Sequence, residues 1–278
     1  MRPLLSIVIA NYNYGRFLEE AIQSVVTQEG FNQCELIVID GGSTDNSVKI
    51  IKKYASKITY WTSEKDNGQS NAFNKGFARA SGKYLTWLNA DDLMVAGALA
   101  VVLCEMTAHP ECDWFTGNFY RFINETRKIS EVGWGPHCYP KFLQRRDSPL
   151  VIFGPSSFFS RKIYETAGKI DEHLNYIMDT DLWLRFMKMG IRQRRIRCFC
   201  WAFRMHLASK TAEFGGHKLD GRRAQAMKAE RDLVCGRIGY RMSGVLRFLV
   251  AGMRFFDGSA FRALWYRWTF TQHKGVRE

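Results

Sequence analysis

Two adjacent carboxylates stand where an apolar run ends: Lys83-Tyr84-Leu85-Thr86-Trp87-Leu88 is followed at once by Asn89-Ala90-Asp91-Asp92. The run suits a buried strand. Carboxylates emerging side by side from such a strand repel each other. They stay ionised most readily when a cation lies between them and an anionic ligand. An incomplete shell of oxygen ligands suits Mg2+ or Mn2+, ions that bridge a carboxylate to a diphosphate. A polar turn capping a helix over Leu93–Met106 accounts for the same four residues. A second carboxylate pair, Asp179 and Asp181, opens a helical pattern over Asp179–Met189. Side chains two apart on a helix point in different directions, so these two cannot share one role.

The elements that must position these groups alternate. Strands are expected over Leu4–Ala10, Glu35–Asp40, Ile58–Thr62 and Lys83–Leu88, and helices over Arg16–Gln28, Val48–Tyr54, Ser70–Ala80 and Leu93–Met106. Such a series predicts a parallel sheet covered by helices. Right-handed crossovers then bring every strand's C-terminal end to one edge, outside which ligands of open α/β sheets bind. Asn11-Tyr12-Asn13, Asp40-Gly41-Gly42-Ser43-Thr44-Asp45 and Asn89-Ala90-Asp91-Asp92 each follow a strand, so all three clusters fall on one rim. Farther on, Asp113–Phe122 continues the sheet. Thr126–Pro149 reads as a long loop region flanking an acceptor site, Arg161–Ala167 as a short helix, and Arg197–Arg204 as an aromatic-rich strand.

The 278 residues fit one large domain, or one domain with an appendage, and the apolar and charged fractions of 46% and 24% exclude a disordered chain. Seven scattered cysteines without a C-x-x-C pair point to reduced thiols in a cytosolic setting rather than to a disulfide framework or a zinc site. The N-terminus enters an apolar strand directly, without the apolar stretch of a signal peptide. No run reaches the roughly 18 apolar residues of a spanning helix. The expected location is therefore cytoplasmic. Of the net charge of +13, residues 215–278 carry +8, from 13 Lys and Arg against 5 Asp and Glu. Nucleic acid, anionic lipid and phosphorylated substrates all suit such a patch. Within it, Val245–Phe256 and Ala260–Phe270 mix apolar and aromatic residues with Arg247, Arg254, Arg262 and Arg267. They suit helices lying in a membrane interface, peripheral to the bilayer, or a helical hairpin packed on the protein or on a second copy.

Taken together, Ser6-Ile7-Val8-Ile9-Ala10-Asn11-Tyr12-Asn13, Ile39-Asp40-Gly41-Gly42-Ser43-Thr44-Asp45, Asn71-Ala72-Phe73-Asn74-Lys75-Gly76 and Leu88-Asn89-Ala90-Asp91-Asp92 resemble the family 2 glycosyltransferases. So do Gly168-Lys169-Ile170-Asp171-Glu172, Met178-Asp179-Thr180-Asp181-Leu182-Trp183-Leu184-Arg185 and Arg204-Met205-His206 with Ser209-Lys210-Thr211. The resemblance covers residues 4–211. It implies the GT-A fold, a Rossmann-like α/β arrangement whose mixed, mostly parallel sheet is flanked by helices. Residues 1–110 would form a nucleotide-sugar half, 111–211 an acceptor half, and 212–278 a C-terminal helical extension. The implied activity is inverting transfer of a sugar from a UDP- or dTDP-linked donor to an acceptor hydroxyl. A glycan or lipid-linked acceptor of cell-surface polysaccharide or glycolipid synthesis is the implied partner.

The resemblance also suggests residue roles. Tyr12 would lie against the base, and Asp40 would accept a ring N–H of uracil or thymine. Asp66 and Asn74 would border the donor. Asn89 stands where the family has the first carboxylate of Asp-x-Asp; it can bond a ribose hydroxyl or a metal-bound water but adds no charge. Asp91 would contact Mn2+ or Mg2+, Asp92 would support it, and His206 would ligate the metal or touch the diphosphate. Lys210 would neutralise that diphosphate on a loop hinged at Gly215-Gly216. Asp179 would be the catalytic base. Local readings stand beside these: a surface tyrosine at 12, a turn at Asp66-Asn67-Gly68, helix capping by Asp45, Asp179 and Asp181, and a structural His206.

Two other function classes compete. A sugar nucleotidyltransferase would want a glycine-rich basic loop after the first strand, where this chain has Asn11-Tyr12-Asn13-Tyr14-Gly15-Arg16. A basic RNA- or membrane-binding module with a degenerate site fits the charged tail. Intact Asp40, Asp91 and Asp179 argue against it, and against nucleic acid as partner.

Overall fold

The first strand shows how the sheet is built. In β1 (Leu5–Asn11), Leu5, Ile7 and Ile9 pack into one core and Val8 into another, so the strand is apolar on both faces, as a covered parallel strand must be. The computed structural model describes residues 2–133, 154–207, 209 and 221–238. Its other strands are β2 (Cys34–Asp40), β3 (Tyr60–Ser63), β4 (Tyr84–Asn89), β5 (Leu93–Met94), β6 (Trp114–Ile123), β7 (Ile129–Gly133), β8 (Ser157–Ser160) and β9 (Arg194–Met205). They form one sheet in the order β3-β2-β1-β4-β8-β6-β9-β5, with β7 against β6. The first four strands of that order run parallel, β8 is antiparallel to β4 and β6, and β9 is parallel to β6. The register aligns Asn11 with Asp40 and Ala10 with Asn89. The three polar clusters expected on one rim therefore do share it.

Helices α1 (Gly15–Val26), α2 (Ser47–Lys53), α3 (Gln69–Arg79) and α4 (Ala98–Ala108) fall near their expected positions, and α5 (Arg161–Ala167), α6 (Met178–Lys188) and α7 (Gly221–Ile238) follow. Leu18, Ile22 and Val25 of α1 share one core with Leu99, Val102 and Met106 of α4. Phe73 and Phe77 of α3 share the other with Trp183 and Phe186 of α6. At Gly76, α3 lies so close to the sheet that a Cβ would meet a Val8 methyl at 2.3 Å. The indole of Trp183 stacks between Trp87 of β4 and Trp114 of β6, both at 5.5 Å between centroids. That stack ties the helix carrying Asp179 to the strand that delivers the acidic tetrad.

Three expectations change. Leu93–Met106 is not one helix: Leu93 and Met94 pair antiparallel with β9, Gly97 turns the chain at φ +78°, and the helix begins at Ala98. Part of Thr126–Pro149 is strand, because Ile129–Gly133 pairs with β6; residues 134–149 lie outside the described residues. The aromatic-rich strand starts earlier, at Arg194, and ends at Met205. In the basic C-terminal region α7 is helical, while Val245–Phe256, Ala260–Phe270, Lys210 and Gly215-Gly216 lie outside the described residues.

Candidate active site

A cleft of about 550 Å³ opens at the C-terminal edge of the sheet. Tyr12, Asp66, Asn89 and Asp91 line it from the rim, Asp179 from α6, and Met227 and Arg231 from α7. Asp40, Asn74, Asp92 and His206 stand behind that surface, outside the lining.

Hydrogen bonds between loops lock the rim. Asp40 is 0% exposed. It accepts from Asn11 Nδ2 at 2.6 Å, from Ser63 Oγ at 2.6 Å, and from the backbone N–H (2.9 Å) and hydroxyl of Ser43. Because the Asp40 carboxylate can only accept, it fixes the Asn11 amide with its NH2 inward. The Asn11 oxygen has no partner among the described residues, and Asn11 lines the cleft. Asn13, at φ +55°, accepts from the Thr44 N–H at 2.8 Å and donates its own N–H to Ser43 Oγ at 2.8 Å. Asp45 receives the N–H groups of Gly15 and Ser47, the first residues of α1 and α2. It thus serves two helix N-termini, matching its local reading as a cap. Burial works against its ionisation, yet bonds from Ser47 and Gly15 hold the carboxyl below its usual range. Tyr12, carried on this locked loop, leaves 59% of its surface exposed at the cleft. Asp66 accepts the Gly68 N–H at 2.8 Å, the turn geometry its sequence suggested. Gly41 lets the Asp66 carboxylate approach: a Cβ there would meet its Oδ2 at 2.8 Å.

The tetrad divides into unlike parts. Asn89 donates to Asp92 at 2.7 Å and accepts from Gln69 at 2.9 Å. Asp92 is fully buried, and its other oxygen accepts the Arg204 N–H at 2.9 Å. Burial first, then the Asp91 charge, pushes the Asp92 carboxyl well above the ordinary range. Asp91 alone of the pair faces the cleft, and its Oδ2 accepts from His206 Nε2 at 3.1 Å. His206 is buried against Phe17, with ring centroids 4.5 Å apart. Beneath this pair Arg204 is 1% exposed. It donates to the Asp91 carbonyl at 2.6 Å, to Asn124 at 2.9 Å and to Glu20 at 2.7 Å. Its guanidinium lies between the rings of Phe17 and Phe122, 4.9 and 5.1 Å from their centroids.

Asp91 at the cleft, with the His206 imidazole behind it, makes a carboxylate–imidazole pair of the kind that holds a divalent ion such as Mn2+. Asp92 is 0% exposed and outside the cleft lining, and each of its oxygens already accepts from a protein donor, so it supports Asp91 from behind. Among the described residues no group of three or more His, Cys, Asp or Glu side chains could hold a metal. An ion here would need further ligands from a bound phosphate or water.

On the α6 wall the two carboxylates diverge as their spacing requires. Asp181 is buried and pairs with Arg185 at 2.7 Å. Asp179 lines the cleft and accepts the Thr180 N–H at 2.6 Å. Burial raises its carboxyl to about 6, against weaker opposing hydrogen bonds from Thr180 and the Gly154 backbone. Asn74 is committed elsewhere: it donates to the Ile170 carbonyl at 2.9 Å and Glu172 at 2.7 Å, and accepts from Tyr164 at 2.6 Å and the Ile170 N–H at 3.1 Å. It clamps α3 to the segment leading into α6.

Sequence reasoning placed Asn11 and Arg204 in motifs without giving either a role, and passed over the cleft-facing residues of α7. A signal existed for Arg204, an arginine closing the mostly apolar run Cys198–Phe203. None existed for α7, whose docking depends on tertiary contacts.

The family model described as "Glycosyl transferase family 2" matches residues 6–168. An uncharacterised glycosyltransferase of Rickettsia typhi is 28% identical over 194 residues, covering 68% of this chain and 60% of its own length. The chain thus spans less than two thirds of that relative. S. aureus TarS in complex with UDP-GlcNAc aligns with a TM-score of 0.59 at 14% identity, over 82% of this chain and 70% of that one. A mannosyltransferase of Pyrobaculum calidifontis in complex with GDP-Man and Mn2+ aligns with a TM-score of 0.56 at 14% identity, over 97% and 85%. At such identities the likeness is one of fold, the GT-A arrangement.

Proposed function

The chain belongs to glycosyl transferase family 2, and from that premise we propose that it moves a sugar from a nucleoside-diphosphate sugar to an acceptor hydroxyl, inverting the anomeric carbon. The observation that carries this reading is Asp179. It is a carboxylate raised to about 6, in the same cleft as the rim cluster around Asp91. A carboxylate in that range is ionised at neutral pH and basic enough to take a proton. The acceptor oxygen would attack the anomeric carbon and form the new glycosidic bond. The bond to the diphosphate would break, its electron pair leaving with the nucleotide, and Asp179 would take the hydroxyl proton. A single displacement inverts the centre.

The rim would hold the nucleotide. Tyr12 offers an unpacked ring to the base. Asn11 lines the cleft with its amide fixed by Asp40, so Asp40 would shape the base pocket through Asn11. Asn74 supports the site from behind. Asp91 and His206 would hold a divalent ion, which supplies positive charge beside the departing diphosphate; Asp92 and Arg204 orient that pair. Both structural relatives were solved with nucleotide sugars, which supports the donor class.

The acceptor fits a glycan or lipid-linked acceptor of surface-polysaccharide synthesis, reached from a cytoplasmic membrane face. The basic, aromatic stretches Val245–Phe256 and Ala260–Phe270 support that reading. No helix among the described residues is long and apolar enough to cross a membrane.

A screen of UDP-, dTDP- and GDP-sugars for Mn2+-dependent donor hydrolysis tests the donor class. Asp179→Asn is expected to bind nucleotide normally and to transfer almost nothing. Wild-type transfer by that variant would sink the reading.

A further inference from the structure

Helices α6 and α7 both lie outside residues 6–168, the span that the family model matches, and one side chain of α7 holds the segment that leads into α6. Glu230 Oε1 accepts the backbone N–H of Asn175 at 2.9 Å, and its Oε2 accepts those of Tyr176 at 2.8 Å and Ile177 at 3.3 Å. Asn175, Tyr176 and the N-cap Ile177 precede Met178, the first residue of α6, so their amides have no acceptor within the helix. Ile177, at the N-cap of α6, supplies no side-chain cap. The acceptor comes instead from a carboxylate 53 residues farther along the chain, with the sign that the positive end of the helix dipole favours. Two further contacts seat α7. Arg237 donates to Asp171 at 2.6 Å, and Val234 is buried in the core that contains Trp183 and Met178. Met227 and Arg231 then complete the cleft wall beside Asp179.

We propose that Glu230 is a positioning residue for the transfer reaction: by fixing Asn175–Ile177 it sets the first turn of α6, and with it Asp179, in the cleft. This rests on Asp179 being the base. Removing the carboxylate leaves three amide donors without their acceptor and frees the turn. A shift of about 1 Å in a catalytic group costs on the order of 100-fold in rate. The rim that would hold the nucleotide, from β1 to β4, hydrogen-bonds to none of these atoms. Glu230→Gln keeps one carbonyl oxygen but turns an NH2 donor toward an amide donor, so it restores part of the arrangement.

The test compares full-length wild type, Glu230→Ala and Glu230→Gln. It measures turnover, affinity for UDP or GDP (whichever the wild type binds) with Mn2+, and amide exchange across residues 174–178. For Glu230→Ala we expect turnover to fall by about 10- to 100-fold, an unchanged nucleotide affinity, and faster exchange at Asn175–Ile177 while β1 and β4 stay protected. Glu230→Gln should fall between. Wild-type turnover in Glu230→Ala, unaltered exchange, or nucleotide affinity lost in step with turnover would each overturn the proposal. Arg237→Ala loosens the far end of α7 and leaves Glu230 in place. It should keep most turnover; a loss as large as that of Glu230→Ala would show that α7 acts by bulk packing and would also overturn it. Should Asp179→Asn itself turn over normally, the base assignment falls, and the exchange arm still reports whether Glu230 holds the turn.

Discussion

The sheet rim and the α6 wall use the same residue type in opposite ways. On the rim, Asp40 and Asp45 are filled with protein hydrogen bonds from neighbouring loops, and both oxygens of Asp92 are engaged. These carboxylates build the frame. On the wall, Asp179 accepts from its neighbour Thr180 and from the Gly154 backbone, and burial leaves it with a raised affinity for protons. The contrast separates framework from chemistry: the rim carboxylates are enclosed by donors that arrive from other loops, and Asp179 is a desolvated carboxylate that opens on the cleft.

Removing the wall carboxylate should break the contrast most completely. Asp179→Asn is expected to lower transfer by about 10²- to 10⁴-fold, the usual worth of a general base, with nucleotide affinity intact by calorimetry. In the wild type, turnover should reach a plateau above pH of about 6 and drop near tenfold per unit below it, following the Asp179 carboxyl. A plateau extending to pH of about 4, the ordinary carboxylate range, would count against that assignment. The sign for stability runs the other way. Because the folded-state value lies above the ordinary 3.8, the folded protein holds this proton more tightly than the unfolded chain. Stability should therefore fall as pH rises through that window. Asp179→Asn should lose that dependence and be roughly 1–3 kcal/mol more stable at pH 7, as read by urea unfolding.

Arg204→Met probes the frame instead. It removes the donor beneath Asp91 and strands part of Glu20 and Asn124, so a loss of about 3 kcal/mol is expected in urea unfolding. Asn74→Ala should cost about 1–2 kcal/mol and leave the donor KM unchanged; a raised donor KM would return Asn74 to the cleft. The smallest effect is expected at Tyr12→Ala: a donor KM higher by about 2- to 10-fold, the worth of one ring contact, with an unchanged melting temperature. If Tyr12→Ala instead lowers the melting temperature, the ring is packing and not waiting for a base.

Much of the rim was readable because a parallel strand's end is a repeating address. Asp40 closes an expected strand and Asn11 and Asn89 each follow one directly, and the β1–β2 and β1–β4 registers bring the three to one edge. Leu93–Met106 was misread because its apolar pattern fits either a helix or a short strand followed by a helix. Gly97 was the mark of the break, but the pairing of Leu93 with Ala202 had no local trace. Asn74 sits in a family motif, so its type suggested a ligand contact. What it touches is Tyr164, Ile170 and Glu172, about a hundred residues away.

The sequence by itself determined the alternation of strands and helices, the rim on which the polar clusters gather, and the opposite facing of Asp179 and Asp181. These follow from local periodicity and from the handedness of the connections. Only the tertiary structure decided which carboxylates are filled and which is left to act. It alone seated Arg204 under Asp91 and brought Glu230 to the turn before Asp179. Proton affinity depends on burial and on donors that arrive from distant parts of the chain, and no local pattern encodes their arrival.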